Sequence, residues 1–196
     1  MPKVVDRDAQ RRAIGAALLT LVAERGLGEV SVRTVAAQAG RSPGAVQKYF
    51  RTKEEMLSMA LDLAGEKTEQ RMRAVDRSGP PREVLRRLVV ATLPLDAERR
   101  AEALVWAAFA AVAGHHPPFA AVLREIDQAV GADVVGWLEA GRADGSIALR
   151  GEAKQVADAV VAISDGIAAQ LLYHPEAADS LLAALDTTLA ALLPTP

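Results

Sequence analysis

The chain has no cysteine, which excludes a disulfide framework and any metal site built on thiolates. No uninterrupted apolar run approaches the ~20 residues that a helix needs to span a bilayer. The first residues, MPKVVDRDAQRR, are charged and lack the apolar stretch of a signal peptide. These absences lead to the expectation of a protein of the reducing cytoplasm, with no membrane as partner. Strand signals are nearly missing, apart from a few residues around 147–149, and there is no internal repeat or low-complexity tract. Catalytic patterns are missing too: no Gly-rich phosphate loop, no G-x-S-x-G and no H-E-x-x-H. His115 and His116 form the one adjacent His pair, but neighbouring residues on a helix point in different directions. No acid follows at the next helical turn before Pro117-Pro118 interrupts the chain. A loop or pocket rim suits this pair better than a metal site. Asp165 is an isolated carboxylate in an otherwise apolar helix, and a structural, hydrogen-bonded role is favoured for it. No enzyme, cofactor or metal is expected.

What the chain does have is 196 residues, enough to bury a real core in one unit or in a small domain plus a larger one. Its net charge of −2 hides an asymmetry. Residues 1–53 hold ten Lys/Arg against four acids, a surplus of six, while the remainder carries 13 basic and 21 acidic residues. A basic head on an acidic body is the electrostatic footprint of a nucleic-acid binder. An ordinary solvated surface gives the same count, so the asymmetry gains weight only beside a motif.

That motif spans 29–57, EVSVRTVAAQAGRSPGAVQKYFRTKEEML. Ser31 can cap a helix whose inner face is Val32, Val35, Ala36 and Ala39. Gly40 stops this helix, since glycine takes the left-handed conformation at a helix end without penalty. Ser42 and Pro43 are a cap and a first helical residue. The second helix, from Pro43 to about Tyr49, has only Val46 and Phe50 as core contacts. Its other face shows Gly44, Ala45, Gln47, Lys48 and Tyr49. A helix–turn–helix that sets its second helix in the DNA major groove has this arrangement. Ahead of it, residues 8–25 read as a helix with an Ile14, Ala17, Leu18, Leu21 and Val22 stripe. Arg7, Arg11 and Arg12 at its start are either an arm contacting phosphate or minor groove, or a solvated tail. After it, Thr52 and Glu55 form a capping box that opens a fourth helix running to about residue 75.

Residues 31–57 resemble the DNA-binding signature of the TetR family of bacterial transcriptional regulators. Ser31, Val35-Ala36, Ala39-Gly40, Ser42, Gly44, Phe50, Lys53-Glu54 and Leu57 carry the likeness. Arg41, Gln47 and Tyr49 stand where the family pattern has an apolar residue, a tyrosine and a histidine. The resemblance implies an all-α protein of about nine helices. It implies a three-helix head at 1–53 that binds double-stranded DNA, and an effector-binding and dimerisation body at 54–196. Gln47 and Lys48 would read bases, with Gly44 and Ala45 allowing close approach. Arg33, Thr34, Ser42, Tyr49 and Lys53 would touch phosphate.

Beyond the break at 77–81 the chain reads as helices at 82–92, 97–113, 118–142, 152–173 and 177–193. Two features of this body carry functional expectations. The first is a set of large apolar residues in two consecutive helices. Among them Trp106, Phe109, Val130, Val134 and Trp137 are expected to line an apolar effector pocket of unknown ligand, with plain core packing as the alternative. The second is the last pair of helices, apolar on more than one face. By the resemblance they pair with their twins in a homodimer, with Val160, Ile163, Ile167, Leu171, Leu181, Leu185 and Leu189 in the seam. The sum is a dimeric, ligand-responsive repressor on a palindromic operator. An activator or co-regulator with the same head is a second reading. A helical enzyme or binding module with an accidental motif is a third.

Overall fold

The computed structural model describes residues 6–194, and every described element is helical. Nine α-helices run in chain order: α1 (Arg7–Arg25), α2 (Val32–Gln38), α3 (Pro43–Gln47), α4 (Lys53–Ala74), α5 (Pro81–Thr92), α6 (Ala97–Ala113), α7 (Pro117–Ala143), α8 (Ala153–Tyr173) and α9 (Ala178–Leu192). Two single 3-10 turns, Leu27–Glu29 and Pro175–Ala177, precede α2 and α9. Residues 147–149 form no strand.

Local chemistry sets the boundaries. Asp6, Ser31, Ser42, Thr52 and Asp96 each accept a backbone amide of the first turn with their side chains, satisfying donors that the helix leaves free. Proline opens α3, α5 and α7, where no amide donor is required. The α2 end is a Schellman motif. Gly40 adopts φ 63°, its N–H donates to the Ala37 carbonyl, and Arg41 N–H donates to that of Ala36.

Two hydrophobic cores hold the helices together. The first gathers Ile14, Leu18, Val35, Val46, Phe50, Met56 and Leu61 with Val105, Phe109 and Phe119. It therefore crosses residue 53 and joins α1–α4 to α6 and the start of α7. The second gathers Leu85, Leu93, Leu138, Val156, Val160, Ile167, Leu171, Leu185 and Leu189 from α5, α7, α8 and α9. Close approach of α1 to α4 depends on Gly15: a Cβ there would lie 2.7 Å from Met59 Cγ and 2.8 Å from Leu63 Cδ1. Arg12 clamps the same crossing with a bidentate ion pair to Glu66 of α4.

The second core takes in most of the expected dimer seam. Val160, Ile167, Leu171, Leu185 and Leu189 are each at most 3% exposed within the single chain, so their side chains pack inside the chain itself. Ile163 and Leu181 are half-buried against the same core. The open faces carry smaller side chains, Ala162, Gly166 and Ala169 on α8 and Ala183, Ala184 and Thr187 on α9. The bulky apolar residues of each helix fill the chain's own core because they bury more area, and the open faces mix small residues with Asp158, Asp165, Asp179 and Asp186.

Candidate nucleic-acid interface and effector body

Residues 31–50 make a surface backed by core. Val46 is fully buried and Phe50 nearly so, which fixes α3 from behind even though five residues cannot form a stable helix alone. The side turned away from them exposes Arg33, Ser42, Gly44, Gln47 and Lys48, with Ala45 and Tyr49 half-buried at its edge. Amide and ammonium groups thus project from a helix whose glycine permits close approach. Gln47 can pair with adenine and Lys48 with guanine acceptors in a major groove.

Several predicted contacts already have work inside the fold. Ser42 Oγ accepts from Ala45 N–H at 3.2 Å. Thr34 Oγ1 accepts from Ser31 N–H at 3.0 Å and donates to the Glu29 carbonyl at 2.7 Å, while Ser31 Oγ accepts from Thr34 N–H at 3.1 Å. Thr34 is thus the second half of a capping box that sequence reading assigned to phosphate contact. Lys53 opens α4, half-buried. At the α4 start, Thr52 Oγ1 accepts from Glu55 N–H at 3.1 Å, but the Glu55 carboxylate accepts from Arg51 N–H at 2.8 Å, one residue before the cap.

Arg11 was missed as a structural group. Its Nη1 donates to the Tyr49 carbonyl at 2.6 Å, and its guanidinium lies 4.5 Å from the Phe50 ring centroid. The sequence separation of 38 between the partners hides this contact from any local pattern.

The expected effector set is not gathered into one place. Phe109 is 2% exposed and stacks on Phe119 at 4.7 Å in the first core. Trp106 packs at the edge of that core, beside Gly65 of α4. Val134 and Trp137 pack against the second core, and Val130 is 38% exposed. Helix α7 is 27 residues long, so its two ends serve different cores, which the sequence spacing of apolar residues does not reveal. A cleft of about 490 Å³ lies elsewhere, between α1, the start of α4 and the start of α7, lined by Arg11, Glu54, Met59, Asp62, His116 and Phe119 among others. Within it the Glu54 carboxyl is held below its ordinary range, first by its own backbone amide and then by the Thr52 hydroxyl. Burial, with Glu66 nearby, pushes the Asp62 carboxyl up. Among the described residues no His, Asp and Glu side chains cluster as metal ligands.

The α4–α6 seam contains the buried charge of the body. Glu102 is 3% exposed and receives both Nη groups of Arg71, with Lys67 Nζ at 3.8 Å. Arg71 also donates to the Ala91 carbonyl of α5 at 3.2 Å and to Thr68 Oγ1 at 3.1 Å. One ion pair therefore ties together α4, which leaves the head, and two helices of the body.

Two family models match this chain. Residues 14–60 match the bacterial regulatory proteins of the TetR family, and residues 81–194 match the C-terminal domain of BetI-type transcriptional repressors. The chain belongs to the TetR family. The HTH-type transcriptional regulator PksA of Bacillus subtilis (strain 168) is 35% identical over 116 residues, 59% of this chain and 57% of that protein. A transcriptional regulator from Rhodococcus sp. Rha1 has the same fold with a TM-score of 0.85 and 33% identity over 95% of this chain and 98% of its own. A putative transcriptional regulator from Saccharomonospora viridis, solved in complex with choline, superposes with a TM-score of 0.85 at 21% identity over 96% of this chain and 100% of its own. The chain spans about half to two thirds of the length of the curated TetR-family relatives it matches.

Proposed function

We propose that this TetR-family chain is a ligand-responsive DNA-binding regulator, a repressor that holds its operator as a homodimer in the cytoplasm. The observation that carries the reading is the two-sided α3, Val46 and Phe50 sealed in the core and Gln47 and Lys48 turned to solvent. Residues 1–53 would form the DNA-binding head and 54–196 the effector and dimerisation body. Tyr49 at the edge of the surface, with Arg33 and Lys53, would contact phosphate.

A dimer is supported by the outer face of α8. This helix is long and apolar enough to cross a membrane, yet only 28% of that stretch is buried inside the chain. Asp158 and Asp165 on the same helix argue against lipid contact. A second copy would cover the Ala162, Gly166 and Ala169 face, and the matching small-residue face of α9. Two heads related by a two-fold axis would then read two half-sites.

The effector would be a small apolar or amphipathic molecule bound in the body, and the α4–α6 seam near Trp106 is the favoured place. A ligand wedged there would displace α4, and with it the head, shifting the dimer away from the geometry that DNA selects. Choline belongs to the neighbour solved with it, and the ligand of this chain is set by its own seam. The test is enrichment of genomic duplex fragments by the purified protein, followed by a ligand screen for release of the enriched duplex. A palindromic site is the result expected. Recovery of no preferred sequence would contradict the proposal.

A further inference from the structure

We infer that Arg11 is a positioning residue for the recognition helix: it acts from behind the DNA surface and does not bind phosphate. The inference rests on the DNA-binding reading above and adds a role to a residue outside the helix–turn–helix. The α3 helix has five residues, and the Tyr49 carbonyl lies two residues past its end, where no further helical turn supplies a donor. Val46 and Phe50 pin α3 from the core side. On the same side, beyond the helix end, Arg11 Nη1 donates to the Tyr49 carbonyl at 2.6 Å, and the flat guanidinium lies 4.5 Å from the Phe50 ring centroid. A planar guanidinium suits a carbonyl and a ring face together.

The strut is mounted on a rigid base. Arg11 and Arg12 are consecutive on α1, and Arg12 is held by both carboxylate oxygens of Glu66 on α4. One turn further, Gly15 lets α1 sit directly on Met59 and Leu63 of α4. The angle of α3 is therefore referred to α4 through α1, as well as through the short connection at 48–52. Arg11 is half-buried, whereas Arg7 and Arg12 are exposed. A half-buried guanidinium with a carbonyl and a ring as partners is poorly placed to release counterions from DNA.

The two roles leave different traces in binding. A lost phosphate contact weakens binding to all sequences alike and flattens the dependence of log K on log salt by about one unit. A lost strut leaves the slope intact and spoils register, so the preferred sequence suffers and random DNA does not. The experiment uses full-length protein, a duplex enriched by the wild type from a random library, and an unselected duplex of equal length. Arg11→Ala is expected to bind the enriched duplex about tenfold more weakly, the scale of one charge-assisted hydrogen bond. Its affinity for the unselected duplex and its salt slope should match the wild type. Arg11→Lys keeps the charge and a donor but loses the plane; it guards against a variant that fails to fold, and should show the same pattern at about two- to fivefold. Equal losses on both duplexes with a flatter slope would overturn the inference in favour of direct contact. A lowered Tm with both affinities unchanged would overturn it in favour of a purely stabilising role. A wild type that enriches no duplex would remove the DNA-binding reading itself.

Discussion

Replacing Glu102 by alanine should loosen the joint between α4 and α6. Its carboxylate is the one charged group that is buried among the described residues, and both Nη groups of Arg71 point at it. Removing one member of a buried ion pair costs about 3–5 kcal/mol, because the other charge is stranded. Here the stranded cation has some escape. The Arg71 side chain is 27% exposed and Lys67, the second cation, is 46% exposed, so water takes over part of the lost interaction and about 2–3 kcal/mol is expected. For a chain of this size each kcal/mol moves Tm by about 2–4 °C, giving a drop of about 4–12 °C. The assay is thermal unfolding followed by circular dichroism at fixed protein concentration, since the proposed dimer would make Tm concentration-dependent. Removing both charges, as Arg71→Met with Glu102→Leu, should cost less than Glu102→Ala alone, because the one cation left, Lys67, is 46% exposed and keeps its pair with Glu98. A Glu102→Ala protein melting within about 2 °C of the wild type, or a double variant losing the sum of its singles, would refute the reasoning.

Three further outcomes follow from the packing. Phe109→Ala should cost about 3–5 kcal/mol, because Phe109 fills core against Phe119; calorimetry showing a small loss would indicate a cavity there instead. Ala169→Glu should give a folded monomer in sedimentation, whereas Leu185→Glu should fail to fold because Leu185 has no exposed surface; an intact Ala169→Glu dimer would place the interface elsewhere. Asp165 is exposed as a residue, but partial desolvation of its carboxyl and the neighbouring Asp127 push that carboxyl up, so its charged form opposes folding slightly near neutral pH, and protonation relieves the penalty as pH falls. Asp165→Asn should therefore stabilise the protein at pH 7, with the gain vanishing below the ordinary aspartate range; a gain independent of pH would refute that cause.

Helix positions were legible because their signals are local. The break at 77–81, the prolines at 117 and 118 and the caps at Ser31, Ser42 and Thr52 place most ends within a residue of those observed. The inner and outer faces of α3 were legible too, since only two of its neighbourhood's residues are large and apolar. The orientation of α8 and α9 was not, because alanines and leucines spread around each helix blur the apolar stripe that periodicity reads. Nor was the division of α7 between two cores. Glu102 lay within reach: it falls on the face of Val105 and Phe109, three and seven residues on, but a glutamate in an Ala-rich helix reads by default as solvated. Arg11 and Tyr49 carry no mutual signal at all, since their contact is created only when α1 packs beside α3.

The central claim is that Gln47 and Lys48 read bases from a helix held by Val46 and Phe50. Its most direct measurement is the affinity of the wild type, Gln47→Ala and Lys48→Ala for the enriched duplex and its single-base variants, across a range of salt. The account predicts steep weakening with salt and a loss of about 1–3 kcal/mol of discrimination at one base pair for each substitution. Binding that ignores salt, or a sequence preference unchanged in both variants, would contradict it.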